Sequence, residues 1–104
     1  MILDVKDRLI LLQILPFEGD VTLLRIIRRL QDELSFNEEE HSSLTFKLEN
    51  GRTSWNPEVK IERDFNFGPK TLSVICAAFE KMDREKRLTL EILPLYDKFI
   101  GDKE

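Results

Sequence analysis

The apolar positions of this chain change period twice, and the changes mark its elements. Over residues 4 to 15, Leu9, Ile10, Leu11, Leu12, Ile14 and Leu15 cover almost the whole circumference of a helix that Asp4 is suited to cap. A helix apolar on nearly all sides has to be enclosed by other elements. Pro16 and Gly19 interrupt it, and Asp20 caps a second expected helix running to about Leu34. Its stripe is Leu23, Leu24, Ile27, Leu30 and Leu34, with Arg25, Arg28, Arg29, Asp32 and Glu33 facing water. Ser35 or Asn37 opens the next turn. Ser35 with Glu38 fits a capping box, and Glu38, Glu39 and Glu40 suit a helix N-terminus, so a short helix is expected over about 37 to 43.

From Leu44 the period becomes two. Leu44, Phe46 and Leu48 alternate with Thr45 and Lys47, and Asn50-Gly51 follows, the dipeptide that best tolerates the positive φ of a type I′ turn. With Asn50 and Gly51 as the loop, Glu49 opposes Arg52, Leu48 opposes Thr53, Lys47 opposes Ser54, and Phe46 meets Trp55 as a cross-strand aromatic pair. Beyond the turn at Asn56-Pro57, Val59, Ile61, Phe65 and Phe67 share parity, which predicts a third strand. Arg63 falls on its apolar face, where either its stem covers core at a sheet edge or a bulge near 62 to 64 resets the register. Gly68-Pro69 starts a helix with Leu72, Ile75, Cys76, Phe79 and Met82 as its buried stripe, ending near Lys86. Thr89 caps a last helix whose Ile92, Leu93, Tyr96, Phe99 and Ile100 share a face, with Pro94 in its first turn and Gly101 and a charged tail at its end. The expected architecture is an α+β domain over residues 1 to 104. Its order is ααα-βββ-αα, a three-stranded antiparallel meander packed on helices.

Composition narrows the functional classes. A chain of 104 residues buries about two-thirds of its unfolded surface, enough for one core. A single Cys excludes an internal disulfide framework, and a net charge of -4 alongside abundant Leu, Ile and Phe disfavours disorder. No apolar run approaches the roughly 20 residues of a membrane-spanning helix. Met1 to Leu3 lead into Asp4, Lys6, Asp7 and Arg8 rather than into a secretory signal, so a cytoplasmic protein is expected. Basic and acidic residues number 5 and 6 over residues 1 to 34, 4 and 7 over 35 to 68, and 7 and 7 over 69 to 104, without the basic excess of a nucleic-acid footprint.

Candidate chemistry is sparse. His41 and Cys76 are the chain's one His and one Cys, too few for a zinc site, and Cys76 in an apolar helical stretch reads as inert core. Glu38 to Glu40 with Asp64 offer oxygen ligands to a hard cation, but without the alternation and Gly of a calcium loop. The four glycines, Gly19, Gly51, Gly68 and Gly101, all sit at turns, and no phosphate-binding or nucleophile-elbow motif is present. No catalytic, cofactor or metal residues are therefore assigned. The order helix, helix, short helix, hairpin has a superficial likeness to a winged helix, but its recognition helix would carry Glu38, Glu39 and Glu40 toward phosphates. Arg25, Arg28 and Arg29 form the most compact basic patch, which also fits a solvated helix face with pairs such as Arg28 to Asp32. Phe17 and Phe36 suit either hydrophobic staples or interface anchors.

The segment Asp7-Arg8-Leu9 to Leu15-Pro16, with Glu18-Gly19, Thr22-Leu23, Arg28 to Leu34 and Phe36 to His41, resembles a group of short uncharacterised proteins of tailed phages and prophages; Leu88-Thr89 and Leu95-Tyr96-Asp97-Lys98-Phe99 add to the likeness. The resemblance implies a mobile-element origin and no known chemistry. The expected role is a non-enzymatic protein-binding module, an inhibitor or adaptor of a host or virion protein. Its candidate contact residues are Arg25, Arg28, Arg29, Glu38, Glu39 and Glu40, and self-association through an open sheet edge is a version of the same idea. Nucleic-acid binding and small-ligand binding are the alternatives.

Overall fold

A computed structural model describes residues 1 to 101; the charged tail after Gly101 lies outside them. The described residues form an α+β fold of five helices and two two-stranded antiparallel sheets: β1 (Ile2–Asp4), α1 (Val5–Ile14), α2 (Val21–Leu34), α3 (Glu38–Leu44), β2 (Lys47–Glu49), β3 (Arg52–Ser54), β4 (Glu62–Asp64), α4 (Pro69–Arg84) and α5 (Leu93–Ile100). No helix among them is long and apolar enough to cross a membrane.

The core is built by the two long amphipathic helices, α2 and α4, closing on α1. Leu11 and Leu15 from the α1 end, Ile27, Leu30 and Leu34 of α2, Ile75 and Phe79 of α4 and Leu95 of α5 form one buried cluster, joined by Leu3, Phe65 and Phe67. Phe79 packs edge-on to Tyr96, 5.9 Å between ring centroids, and lies 5.7 Å from Phe99. Asp4 and Asp20 cap α1 and α2 as expected, their carboxylates accepting from the Asp7 and Leu23 amides at 2.8 Å each. Capping at α3 differs from expectation. The box is Asn37 with Glu40, while Ser35 closes α2 by donating its hydroxyl to the Gln31 carbonyl at 2.6 Å. At the last helix, the Thr89 hydroxyl accepts from the Ile92 amide at 3.3 Å, but it organises a preceding turn, and α5 itself begins at Leu93.

The three-stranded meander is not formed. Hairpin β2–β3 has the expected register, Lys47 to Ser54, Leu48 to Thr53 and Glu49 to Arg52, with Asn50 and Gly51 at φ 51° and 75°. The third strand leaves it: β4 pairs with β1 instead, Ile2 to Asp64, Leu3 to Arg63 and Asp4 to Glu62, and the Phe65 amide donates to the Met1 carbonyl at 2.7 Å. Asn56 starts a turn that carries Pro57 away from the hairpin, and Val59 and Ile61 are only half-buried. Joining β1 places Phe65 and Phe67 in the core, whereas every residue of the hairpin strands is exposed. Apolar burial therefore favours the distant partner. The ladder through Arg63 is unbroken. Its guanidinium lies 5.1 Å from the Phe65 ring centroid, so the sheet-edge alternative for this residue is the one observed.

Candidate functional site

The six sequence candidates separate into three settings. Glu40 is withdrawn from the surface. As the third residue of α3 it closes the Asn37 capping box, and the same geometry aims its carboxylate inward at Arg8, which is fully buried on α1. The contact is two-pronged, Nη1 to Oε2 at 2.7 Å and Nη2 to Oε1 at 3.3 Å. Two further guanidinium hydrogens go to the end of α2: Nε donates to the Leu34 carbonyl at 3.0 Å and Nη2 to the Ser35 carbonyl at 2.6 Å. The Phe36 ring lies 3.9 Å from the guanidinium carbon. Arg8 hydrogen bonds and charge hold the Glu40 carboxyl below its ordinary value, against an opposing push from burial; the Asn37 amide and Arg63 add to the lowering. A buried pair that is this fully hydrogen-bonded is architecture, joining α1, α2 and α3 at one point. Nothing in the sequence marked Arg8 as buried, since Lys6 on the same helix is exposed.

Glu38 and Glu39 are exposed in the first turn of α3. Phe36 takes the staple position just before the cap and meets His41, one turn on, at 6.1 Å. Phe46 joins both rings at 5.1 and 5.5 Å and meets Trp55 edge-on at 6.4 Å, the expected cross-strand pair. In the winged-helix reading α3 would be the helix facing nucleic acid. It has seven residues and turns Glu38 and Glu39 to solvent.

Arg25, Arg28 and Arg29 are all exposed on α2, and none is ion-paired among the described residues; the Arg28–Asp32 pair is not formed. Helical spacing puts Val21, Leu24, Arg25 and Arg28 on one face. Both apolar members are exposed, although Leu24 was expected in the buried stripe. Just before this face, in the α1–α2 turn, Phe17 is 75% exposed, so it is no staple. The same turn forms one wall of an apolar groove of about 610 Å³, lined by Ile14, Pro16 and Leu23 on one side and Val74, Ala78 and Met82 of α4 opposite, with Ile92 at its end. Lys81, Glu85 and Arg87 stand at its charged margin. Leu90 and Leu93, flanking Ile92, are exposed as well. A turn, a helix face and a groove thus combine an aromatic anchor, aliphatic surface and unpaired arginines.

Cys76 of α4 is half-buried, its Sγ 3.7 Å from the Phe99 carbonyl oxygen; burial and nearby Glu80 raise the thiol above its ordinary value, which disfavours a thiolate. No group of three or more His, Cys, Asp or Glu among the described residues is placed to hold a metal ion. Compared with models of known families, with curated proteins and with solved structures, the chain matches none.

Proposed function

We propose that this chain is a non-enzymatic protein-binding module, an inhibitor or adaptor of phage or prophage origin working in the host cytoplasm. The observation that carries the binding role is the exposed surface of Phe17, Val21 and Leu24, continued by Arg25 and Arg28 and bordered by the apolar groove. Aromatic and arginine side chains are the residue types that most often dominate protein interfaces, and an apolar groove beside the exposed Arg25 and Arg28 suits an amphipathic segment bearing acidic flanks. The phage origin rests on the sequence likeness alone. Glu38 and Glu39 line no part of the groove and have no role in this reading.

The test is affinity capture from host extract with wild-type protein and with the exposed variants Phe17→Ser and Arg28→Glu. One or a few proteins should be retained by the wild type and lost with either variant. Equal retention by all three would remove this surface from the proposal. A small apolar ligand is the second reading, favoured by a groove volume within the roughly 300 to 1,000 Å³ of small-molecule sites. It predicts binding that survives Phe17→Ser but is blocked by Ala78→Trp, which fills the groove.

A further inference from the structure

Strand β2 has an open edge whose sequence is complementary to itself. A two-residue type I′ loop closes on a hydrogen-bonded pair, here Glu49 with Arg52, so alternation makes Leu48 and Thr53 a non-hydrogen-bonded pair. The Leu48 N–H and C=O therefore point away from β3, and no turn or loop contact engages them among the described residues. The Leu48 side chain is 75% exposed, and Lys47 and Glu49 beside it are exposed too.

We propose that β2 pairs antiparallel with β2 of a second copy of this chain, on a two-fold axis at Leu48, joining two hairpins into a four-stranded sheet. At that axis Leu48 exchanges both backbone hydrogen bonds with Leu48 of the second copy, and the two side chains cover one another on the face that also carries Phe46. On the opposite face Lys47 stands against Glu49 of the second copy, twice by symmetry. Because Glu49 already opposes Arg52, each row reads Arg52, Glu49, then Lys47 of the other copy, with alternating sign. Isologous contacts require this kind of self-complementarity.

The other strands lack it. The same operation through Thr53 of β3 sets Arg52 against Ser54. Through Arg63 of β4 it sets Arg63 against itself and Glu62 against Asp64, like charges that guard that edge. On β1, Leu3 is fully buried. The β2 ladder is short, so the dimer is weak and forms as concentration rises. It uses none of the groove residues and stands independently of the binding role proposed above.

Sedimentation velocity over a concentration series up to millimolar tests the pairing. The wild type should move toward twice the monomer mass. Lys47→Glu, which faces only Ser54 within its own hairpin, should weaken dimerisation roughly tenfold or more, since two attractive pairs become repulsive. The double variant Glu49→Lys/Arg52→Glu keeps an opposite-charge pair in its own hairpin and should be equally impaired alone. An equimolar mixture of Lys47→Glu with this double variant should recover heterodimers at near wild-type strength, because their β2 strands are complementary. A monomer at every concentration would overturn the proposal, as would a dimer indifferent to both charge changes. Retention of the groove partner by Lys47→Glu, measured alongside, keeps the two proposals separate.

Discussion

The helical core and the lobe formed by residues 36 to 61 are stabilised by different physics. In the core, aliphatic and phenylalanine side chains from β1, α1, α2, α4, α5 and the segment that follows β4 make one continuous cluster. None of its members, nor any half-buried residue packed on it, comes from residues 36 to 61. The lobe has Leu44 as its fully buried aliphatic residue, a chain of four aromatic rings from Phe36 and His41 through Phe46 to Trp55, and the Arg8–Glu40 pair as its deepest attachment. Non-directional burial tolerates repacking, whereas a hydrogen-bonded ion pair depends on geometry and on both partners being present. The lobe should accordingly be the part of the molecule that can be detached.

The chain's only tryptophan, Trp55, sits in the lobe, while four of the five helices belong to the core. Trp55 fluorescence and helical circular dichroism therefore report the two regions separately. The largest effects come from Phe79→Ala and Arg8→Ala, each expected to cost about 3 to 5 kcal/mol. They should differ in kind. Phe79→Ala leaves a cavity in the shared core and should move both signals to lower denaturant together. Arg8→Ala leaves Glu40 Oε2 and the Leu34 and Ser35 carbonyls without their donor, with only the Asn37 amide still donating to the Glu40 carboxylate, so the Trp55 transition should fall well ahead of the helical one. Coincident transitions in Arg8→Ala would mean that the lobe and core unfold as a single unit.

An intermediate effect is expected from acid. Pairing with Arg8 depresses the folded Glu40 value below its usual 4.5. A group depressed in the folded state contributes its stabilisation above the unfolded value, and that contribution is lost as pH falls through the folded value. The stability advantage of the wild type over Glu40→Gln should then be full at pH 7 and shrink below about pH 4.5. Denaturant midpoints by Trp55 fluorescence at both ends of that range decide it; a constant gap would mean that Glu40 does not titrate against Arg8.

How far the sequence carried differs between the two regions for the same reasons. The Asp4 and Asp20 caps and the Asn50-Gly51 register are local patterns present as read, and the α2 stripe is buried at Ile27, Leu30 and Leu34 but not at Leu24. What failed was long-range. Three residues, Ile2 to Asp4, show no period of their own, and their pairing with residues 62 to 64 spans most of the chain. The fate of Glu40 was hidden likewise: an acidic run at a helix start reads as solvated, and its partner Arg8 is 32 residues away. Of the candidate contact residues, the α2 arginines were legible because helix periodicity alone exposes them. Phe17 was legible as an aromatic in a turn, but its exposure depended on how α1 and α2 meet.

The smallest expected effect is at the tip of the lobe. Gly51 has φ 75°, and a Cβ there meets nothing within 4 Å, so Gly51→Ala adds backbone strain without a clash. A left-handed backbone costs an ordinary residue about 1 kcal/mol. Because the hairpin strands are exposed and contribute nothing to the main cluster, that strain should loosen β2–β3 without spreading. The helical transition should stay within about 0.5 kcal/mol of wild type, as for most surface changes. Amide exchange at Leu48 and Thr53 does not report on hairpin bonds, since both groups point outward; exchange at Lys47, Glu49, Arg52 and Ser54 should quicken. Loss of helical stability comparable to that of Phe79→Ala would show that the hairpin is integral to the core after all, and would remove the distinction between the two regions.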